Sequence, residues 1–380
     1  MLGSYRRGRD RMNDRRLQSL VHGVALAVII GWVLHVGQQV LVPIVFSVLV
    51  AYLIGGLARA IKRVPLLGPH LPVQLRYLLS ILSFGLVVGA GVSLVVSNLG
   101  AVAELAPRYQ DQLLNRFQQA AAYVGLEAAP TWTALREDFL ERSRLQELIG
   151  ATVVSLTGLA VTLLLVFLYV TFLLLEQRDF STKFDQLSGN PVRAARVRKV
   201  ISSINARIGQ YLAIKTLINV VLGLVSWAVL AAFDVEFAAF WAVLIAVLNY
   251  IPYIGSFLGV LFPVGWALVQ SSDPTSVLTL LVLLSLAQFV IGSFLDPYLM
   301  GSSLNLSPFV ILVSLACWGS LWGVAGAFLA VPITAVLVIV LSEFDGTRPL
   351  AILMSRDPRM RRLRGSRSPP GDAGVRGGPG

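Results

Sequence analysis

The sequence predicts an all-α polytopic membrane protein with about six full transmembrane spans and two broken helical hairpins. Three observations predict it. Of 380 residues, 56% are hydrophobic and 13% charged, against about 25% charged in soluble domains, and the mean hydropathy is +0.75. Several apolar runs reach the length of about 20 residues that hydrocarbon demands. The 31 Lys and Arg outnumber the 20 acids and cluster beside those runs, which is the positive-inside pattern. The same clusters favour anionic lipid at the cytoplasmic face of the bilayer. No basic stripe with interleaved aromatics occurs, so nucleic acid is not an expected partner.

The elements follow in order. Residues 1–16 form a basic cytoplasmic N-terminus carrying Arg6, Arg7, Arg9, Arg11, Arg15 and Arg16. It resembles a signal-peptide n-region, but apolar sequence continues nearly unbroken to Leu57, far beyond an h-region, so a retained hairpin is expected. Within the N-terminal transmembrane region, 17–99, spans run over about 17–36 and 40–57, joined by a tight turn at Gly37-Gln38-Gln39, and over about 77–96. The loop between the second and third holds Arg59, Lys62, Arg63 and Arg76 and no acid. Residues 100–147 have seven acids and five arginines. Leu105, Tyr109, Leu113 and Phe117 fall at steps of four there, one face of an amphipathic helix, and the segment is read as extracytoplasmic. A fourth span covers 148–175.

Segment 176–207 has seven Lys/Arg against three acids and is read as a cytoplasmic loop. Asn190-Pro191 looks like an N-cap followed by proline at the first helical position. Val197, Val200, Ile204 and Ile208 give the helix that follows an apolar face for the membrane interface. The transport core, 208–343, opens with a span to about Phe233 and contains another over 276–295. The tail, 344–380, is basic, rich in Gly and Pro, and reads as disordered. Placing every basic segment inside puts both termini in the cytoplasm.

Two stretches of the core are apolar but interrupted. VLNYIPYIGSFLG, Val247 to Gly259, sits between flanks each about half a membrane long. Unpaired backbone in hydrocarbon costs several kcal/mol per group, so such a break is stable where it is buried or lines a cavity. A re-entrant hairpin with a polar site at its tip fits, and so does a full helical hairpin with a silent proline kink. The second stretch, Pro308 to Leu341, is interrupted at CWGSLWGVAG and again at Pro332. Its hairpin is entered from the opposite side, which makes an inverted repeat, the arrangement that places substrate near the midplane in transporters. IGSFLGVLFP and VAGAFLAVP echo one another faintly. The substrate-binding candidates are therefore Asn249, Pro252, Gly255, Asn219, Gln288, Gly323, Gly326 and Pro332.

Arg207, Tyr211, Lys215, Asn219, Gly223 and Trp227 recur at steps of four on the fifth span. Lys215 is the one charge well inside a span. Snorkelling to the nearer interface would explain it; so would a partner on the next full span, where Ser285, Gln288, Gly292 and Asp296 form a comparable stripe. Lys215 and Asp296 are thus the candidate coupling residues. His22, His35 and His70 lack a companion acid or cysteine cluster, so neither a metal nor a cofactor is expected. The Walker, H-E-x-x-H and G-x-S-x-G patterns are missing, and no pair of intramembrane acids could act as acid and base. A transporter is the leading reading, ahead of a passive oligomeric pore and an intramembrane enzyme.

Three spaced motifs carry a family resemblance: N-x-I-P-x-I-G at Asn249, Pro252 and Gly255; P-x-x-x-G-x-x-L-x-L-x-P at Pro297, Gly301, Leu304, Leu306 and Pro308; and G-x-x-G-x-x-L-A-V-P at Gly323, Gly326, Leu329 and Pro332. In order and spacing the chain resembles the autoinducer-2 exporter family of bacterial inner-membrane permeases, most strongly from about 195 to 343. The resemblance implies export of a small solute, possible ion coupling, assembly as a homo-oligomer and residence in the bacterial cytoplasmic membrane. It also implies structural roles for Pro297, Gly301 and Pro308.

Overall fold

A computed structural model describes residues 18, 21–63, 70–123, 158, 161–176, 191–271, 273–300 and 304–356, of which 99–123 are described as backbone. Everything regular in them is helical apart from one isolated bridge, Leu306 with Ser355. The helices are α1 (Val21–Val36), α2 (Gln38–Lys62), α3 (Val73–Tyr123), α4 (Val161–Glu176), α5 (Pro191–Ala232), α6 (Ala238–Leu248), α7 (Ile254–Gln270), α8 (Pro274–Val290), α9 (Asp296–Met300), α10 (Pro308–Glu343) and α11 (Arg348–Met354). A π-helical turn, Ile291–Leu295, joins α8 to α9. Among the described residues, five helices are long and apolar enough to cross a membrane, and four more are apolar but shorter.

Four expectations need correction. Most simply, part of the tail expected to be disordered, Arg348–Met354, forms α11, with Ala351 buried. Gln38 and Gln39 are already helical, and Gly37 alone joins α1 to α2. Gly37 N–H donates to the Val33 carbonyl at 2.8 Å and Leu41 N–H to the Gly37 carbonyl at 2.9 Å. Hydrogen bonds continuing the helical direction on both sides bend a rod; they do not reverse it. Residues 21–30 are exposed on every side, so α1 does not fold back on α2. The kink releases the Leu34 carbonyl, which takes the Trp322 indole N–H at 2.9 Å.

The third correction concerns α3, whose 51 residues run without a break through the expected end of the third span. The fourth concerns α5. Its 42 residues make the expected interfacial helix the opening turns of the span itself, since Gly209, at the expected junction, stays within the continuous helix.

The second broken stretch does fold back on itself, although α10 is nearly continuous in its hydrogen bonding. Gly323 adopts φ 60, ψ −139, a conformation that glycine reaches without penalty. Thr334 Oγ1 then donates to Ser314 Oγ at 2.9 Å and Trp318 Nε1 to Thr334 Oγ1 at 3.1 Å. Twenty residues of straight helix would hold those hydroxyls about 30 Å apart. Residues 308–322 and 324–343 are therefore two arms of a hairpin.

α5 is the central strut. Its later half packs with α6, α7 and α8 around Ile218, Leu222, Phe240, Ile245, Leu280 and Leu284. Its earlier half packs with α2 and α10 around Leu49, Ile208, Leu212, Leu329 and Val338. α2, α3 and α4 meet separately around Ile54, Val166 and Val170.

Each hairpin is closed at its base. For the first, the Gln270 side chain donates to the Asp234 carbonyl and accepts from the Glu236 N–H, at 2.8 and 2.9 Å. For the second, Ser307 N–H donates to Met354 and Arg356 N–H to Asn305, at 3.1 and 3.0 Å. Asp273 caps α8 by accepting from the Thr275 and Ser276 N–H groups and the Ser276 hydroxyl. The Ser276 hydroxyl, then those backbone donors, hold its carboxyl below the usual carboxylate range.

Candidate solute site

The first hairpin breaks at residues 249–253. α6 has 11 residues, a rise of about 16 Å, which is half the hydrocarbon thickness of about 30 Å. The break is built from a tight turn. Ile254 N–H donates back to the Pro252 carbonyl at 2.7 Å, and Tyr253 between them sits at φ 62, ψ −56. A three-residue turn with a left-handed central residue is rare and strained. Gly255 makes the return possible: a Cβ there would stand 2.5 Å from the Leu248 carbonyl carbon and 3.0 Å from Asn249 N. Gly326 does the same in the second hairpin, where a Cβ would stand 2.6 Å from the Trp318 carbonyl carbon and 3.0 Å from Trp322 Cβ. The faint echo GSFL and GAFL thus marks equivalent positions, the first turn of each returning arm.

Asn249 is held at this break and buried. Its Nδ2 donates to Asn219 Oδ1 at 2.8 Å, and its Oδ1 accepts from Ser256 Oγ at 3.3 Å. The amides then have a direction, Ser256 to Asn249 to Asn219, and the Asn219 NH2 at the end of the chain is buried without a partner at hydrogen-bond geometry. Beside it, the Thr216 and Tyr250 hydroxyls lie 2.7 Å apart. One turn of α5 away, Lys215 Nζ meets Asp296 Oδ2 at 3.1 Å, while the buried Asp296 Oδ1 has no partner. Lys215 therefore has a partner and does not snorkel.

Asp296 reaches Lys215 through a device the residue spacing concealed. Residues 285, 288, 292 and 296 share one face only if the helix is regular. The π turn inserts an extra residue before Asp296, whose N–H donates to the Ile291 carbonyl five residues back. Ser285 and Gly292 accordingly face away from the protein, exposed, while Asp296 turns inward. Such single π turns recur at functional sites. Pro297, which has no N–H to give, follows directly. On α5 the stripe from Tyr211 through Lys215 to Asn219 is buried, and Gly223 lets Ala246 approach, but Trp227 is exposed.

Gln288 lies nearby on α8, its Nε2 buried and unpaired 3.2 Å from the Cβ position of Gly259. Gly323, Gly326 and Pro332 stand apart from the amide cluster; they shape the second hairpin. That hairpin meets the first through Phe328, whose ring lies 4.7 Å from Tyr250 and 5.4 Å from Phe46 of α2. Ile251 packs there with Leu315 and Ala330. Pro308 begins α10 behind its Ser307 cap, and Gly301 lies outside the described residues. Sequence reasoning missed Thr216, Tyr250, Ser256 and Phe328. Thr216 and Tyr250 adjoin Lys215 and Asn249 in the chain, which is the one signal that could have found them.

Paired amides and an ion pair stand beside the first hairpin's break, in a chain whose long apolar helices define a multi-pass membrane protein. Over residues 23–346 the chain matches the AI-2E family transporter description, and it belongs to that family. It is similar to the AI-2 transport protein TqsA of Escherichia coli (strain K12), 29% identical over 350 residues that cover 88% of this chain and 96% of TqsA. YhhT of the same organism is 27% identical over 340 residues, 87% and 93% of the two chains. PerM, also from that strain, is 28% identical over 197 residues, 52% and 55%. The family is one of transporters, not enzymes.

Proposed function

We propose that the chain is an ion-coupled secondary transporter of a small, uncharged, hydrogen-bonding solute, held at the tip of the first hairpin. One observation carries the reading: the Asn249–Asn219 bond at a broken helix, directly beside the Lys215–Asp296 pair. Mutual neutralisation leaves the site no net charge, and the amides offer a donor and acceptors to a neutral polar molecule. TqsA is named for AI-2 transport, which supports a small-molecule substrate for this chain. Pro252 and Gly255 hold the tip open, and Gln288 and Asn219 supply unpaired donors.

Losing one such hydrogen bond typically costs roughly 0.5–1.5 kcal/mol, more where its partner stays buried and unpaired. Asn249→Leu is expected to lower solute uptake into inverted vesicles about tenfold or more, with expression unchanged. Wild-type uptake in that variant would move the site away from the hairpin tip. A passive pore is the second reading, favoured by transport that ignores every imposed ion gradient.

The basic loops and tail assign the cytoplasmic side, with 100–147 outside. In a Cys317→Ala background, a cysteine at Gln118 is expected to label in intact cells and one at Ser366 only after permeabilisation. The reverse pattern overturns the assignment. The bend at Gly37 carries α1 away from the Lys62 end of α2. A cysteine at Ser4 reports which side the N-terminus takes.

A further inference from the structure

We infer that a cleft between α2 and α5 binds a phosphate group, presented by an anionic phospholipid, with Arg59 as its anchor. α2 has 25 residues and rises about 37 Å, against about 30 Å of hydrocarbon, so its ends stand at headgroup level. A basic side chain near such an end ordinarily stretches outward to water. Arg59 does the opposite. Its Nη1 lies 3.5 Å from the Cβ position of Gly55 and its Nη2 3.9 Å from that of Gly56, one turn back toward the middle of α2. Across the cleft, Nη2 stands 3.7 Å from the Cβ position of Gly209 on α5.

Three glycines on two helices line the place where the guanidinium rests, at ordinary van der Waals distance. Beside it the Tyr52 hydroxyl donates to Asn205 Oδ1 at 2.6 Å, tying the helices together. Among the described residues no hydrogen bond or ion pair involves Arg59, and the 58–76 segment that follows contains no acid. Arg59 is an exposed residue, and an unpaired guanidinium beside hydrocarbon is costly. Its planar fork matches phosphate oxygens bidentately, and basic clefts between transmembrane helices hold phospholipid headgroups. The position at headgroup level, where phospholipid phosphates are concentrated, favours the lipid over free phosphate. Arg207, half-buried two residues before Gly209, adds a second positive charge on the α5 side. This site is separate from the amide cluster and does not depend on the transport reading.

The test is native mass spectrometry of the full-length protein after exposure to phosphatidylglycerol–phosphatidylcholine vesicles, with inorganic phosphate alone as a second arm. Wild-type protein and Arg63→Gln are expected to retain one phosphatidylglycerol, while Arg59→Gln and Gly209→Leu retain at least fivefold less. Gly209→Leu keeps the arginine and fills the cleft, so it separates binding at this place from general surface charge. Monodisperse elution of both variants verifies their folding; if Arg59→Gln does not fold, Gly209→Leu decides. Equal retention by wild type and the folded cleft variants overturns the site. Saturation by inorganic phosphate with no bound lipid overturns the lipid assignment.

Discussion

Gly255→Ala and Gly326→Ala are expected to be the two most damaging single-methyl changes in the core, and Gly265→Ala, in the same returning helix as Gly255, to be harmless. The reason is placement. At 255 and 326 the new methyl would stand within 2.6 Å of a carbonyl carbon of the incoming arm, and backbone, unlike the end of a side chain, cannot step aside. Overpacking of this kind costs about 1–3 kcal/mol and occasionally more; these two sites belong at the upper end. At 265 nothing lies within 4 Å, and alanine gains about 1 kcal/mol of helix propensity over glycine. Thermal unfolding in detergent reads all three. A Gly255→Ala midpoint equal to that of wild type would mean that the two arms do not approach as described.

Lys215→Met is expected to destabilise the protein by about 2–3 kcal/mol, because it leaves the Asp296 carboxylate without its partner. The figure lies below the range of about 3–5 kcal/mol for a broken buried pair because the Asp296 side chain is 25% exposed. Lys215→Met combined with Asp296→Leu removes both charges and should recover most of that stability. Uptake separates the roles. If the pair couples transport to an ion, the double variant is stable yet fails to accumulate solute against a gradient. A double variant that still accumulates solute would make the pair a structural tie.

The fold class was legible because composition and run length are properties of the chain alone. Asn249, Lys215 and Asp296 were legible because a polar group in hydrocarbon has few innocent explanations. The partners were not. Thr216 and Tyr250 are brought together by the phase of two helices across a gap, which no spacing along one helix records. The stripe through Gly292 to Asp296 pointed to the right partner through the wrong geometry, since the π turn breaks the period on which the stripe rests. Gln38 and Gln39 read as a turn because they are polar, yet polarity does not bend a backbone. Hydrogen bonding around Gly37 decided that angle, and it depends on Trp322, almost three hundred residues away.

The unbroken length of α3 has a practical consequence for imaging. Fifty-one helical residues extend about 76 Å, more than twice the hydrocarbon thickness of about 30 Å. About 30–35 Å of that rod therefore stands clear of a bilayer that measures about 40–45 Å with its headgroups. A 41.1 kDa chain buried wholly in a disc gives particle images little by which to orient them. A projecting helix of known sequence breaks that symmetry, and an antibody fragment raised against its outer turns would fix both the viewing angle and the sidedness in one reconstruction.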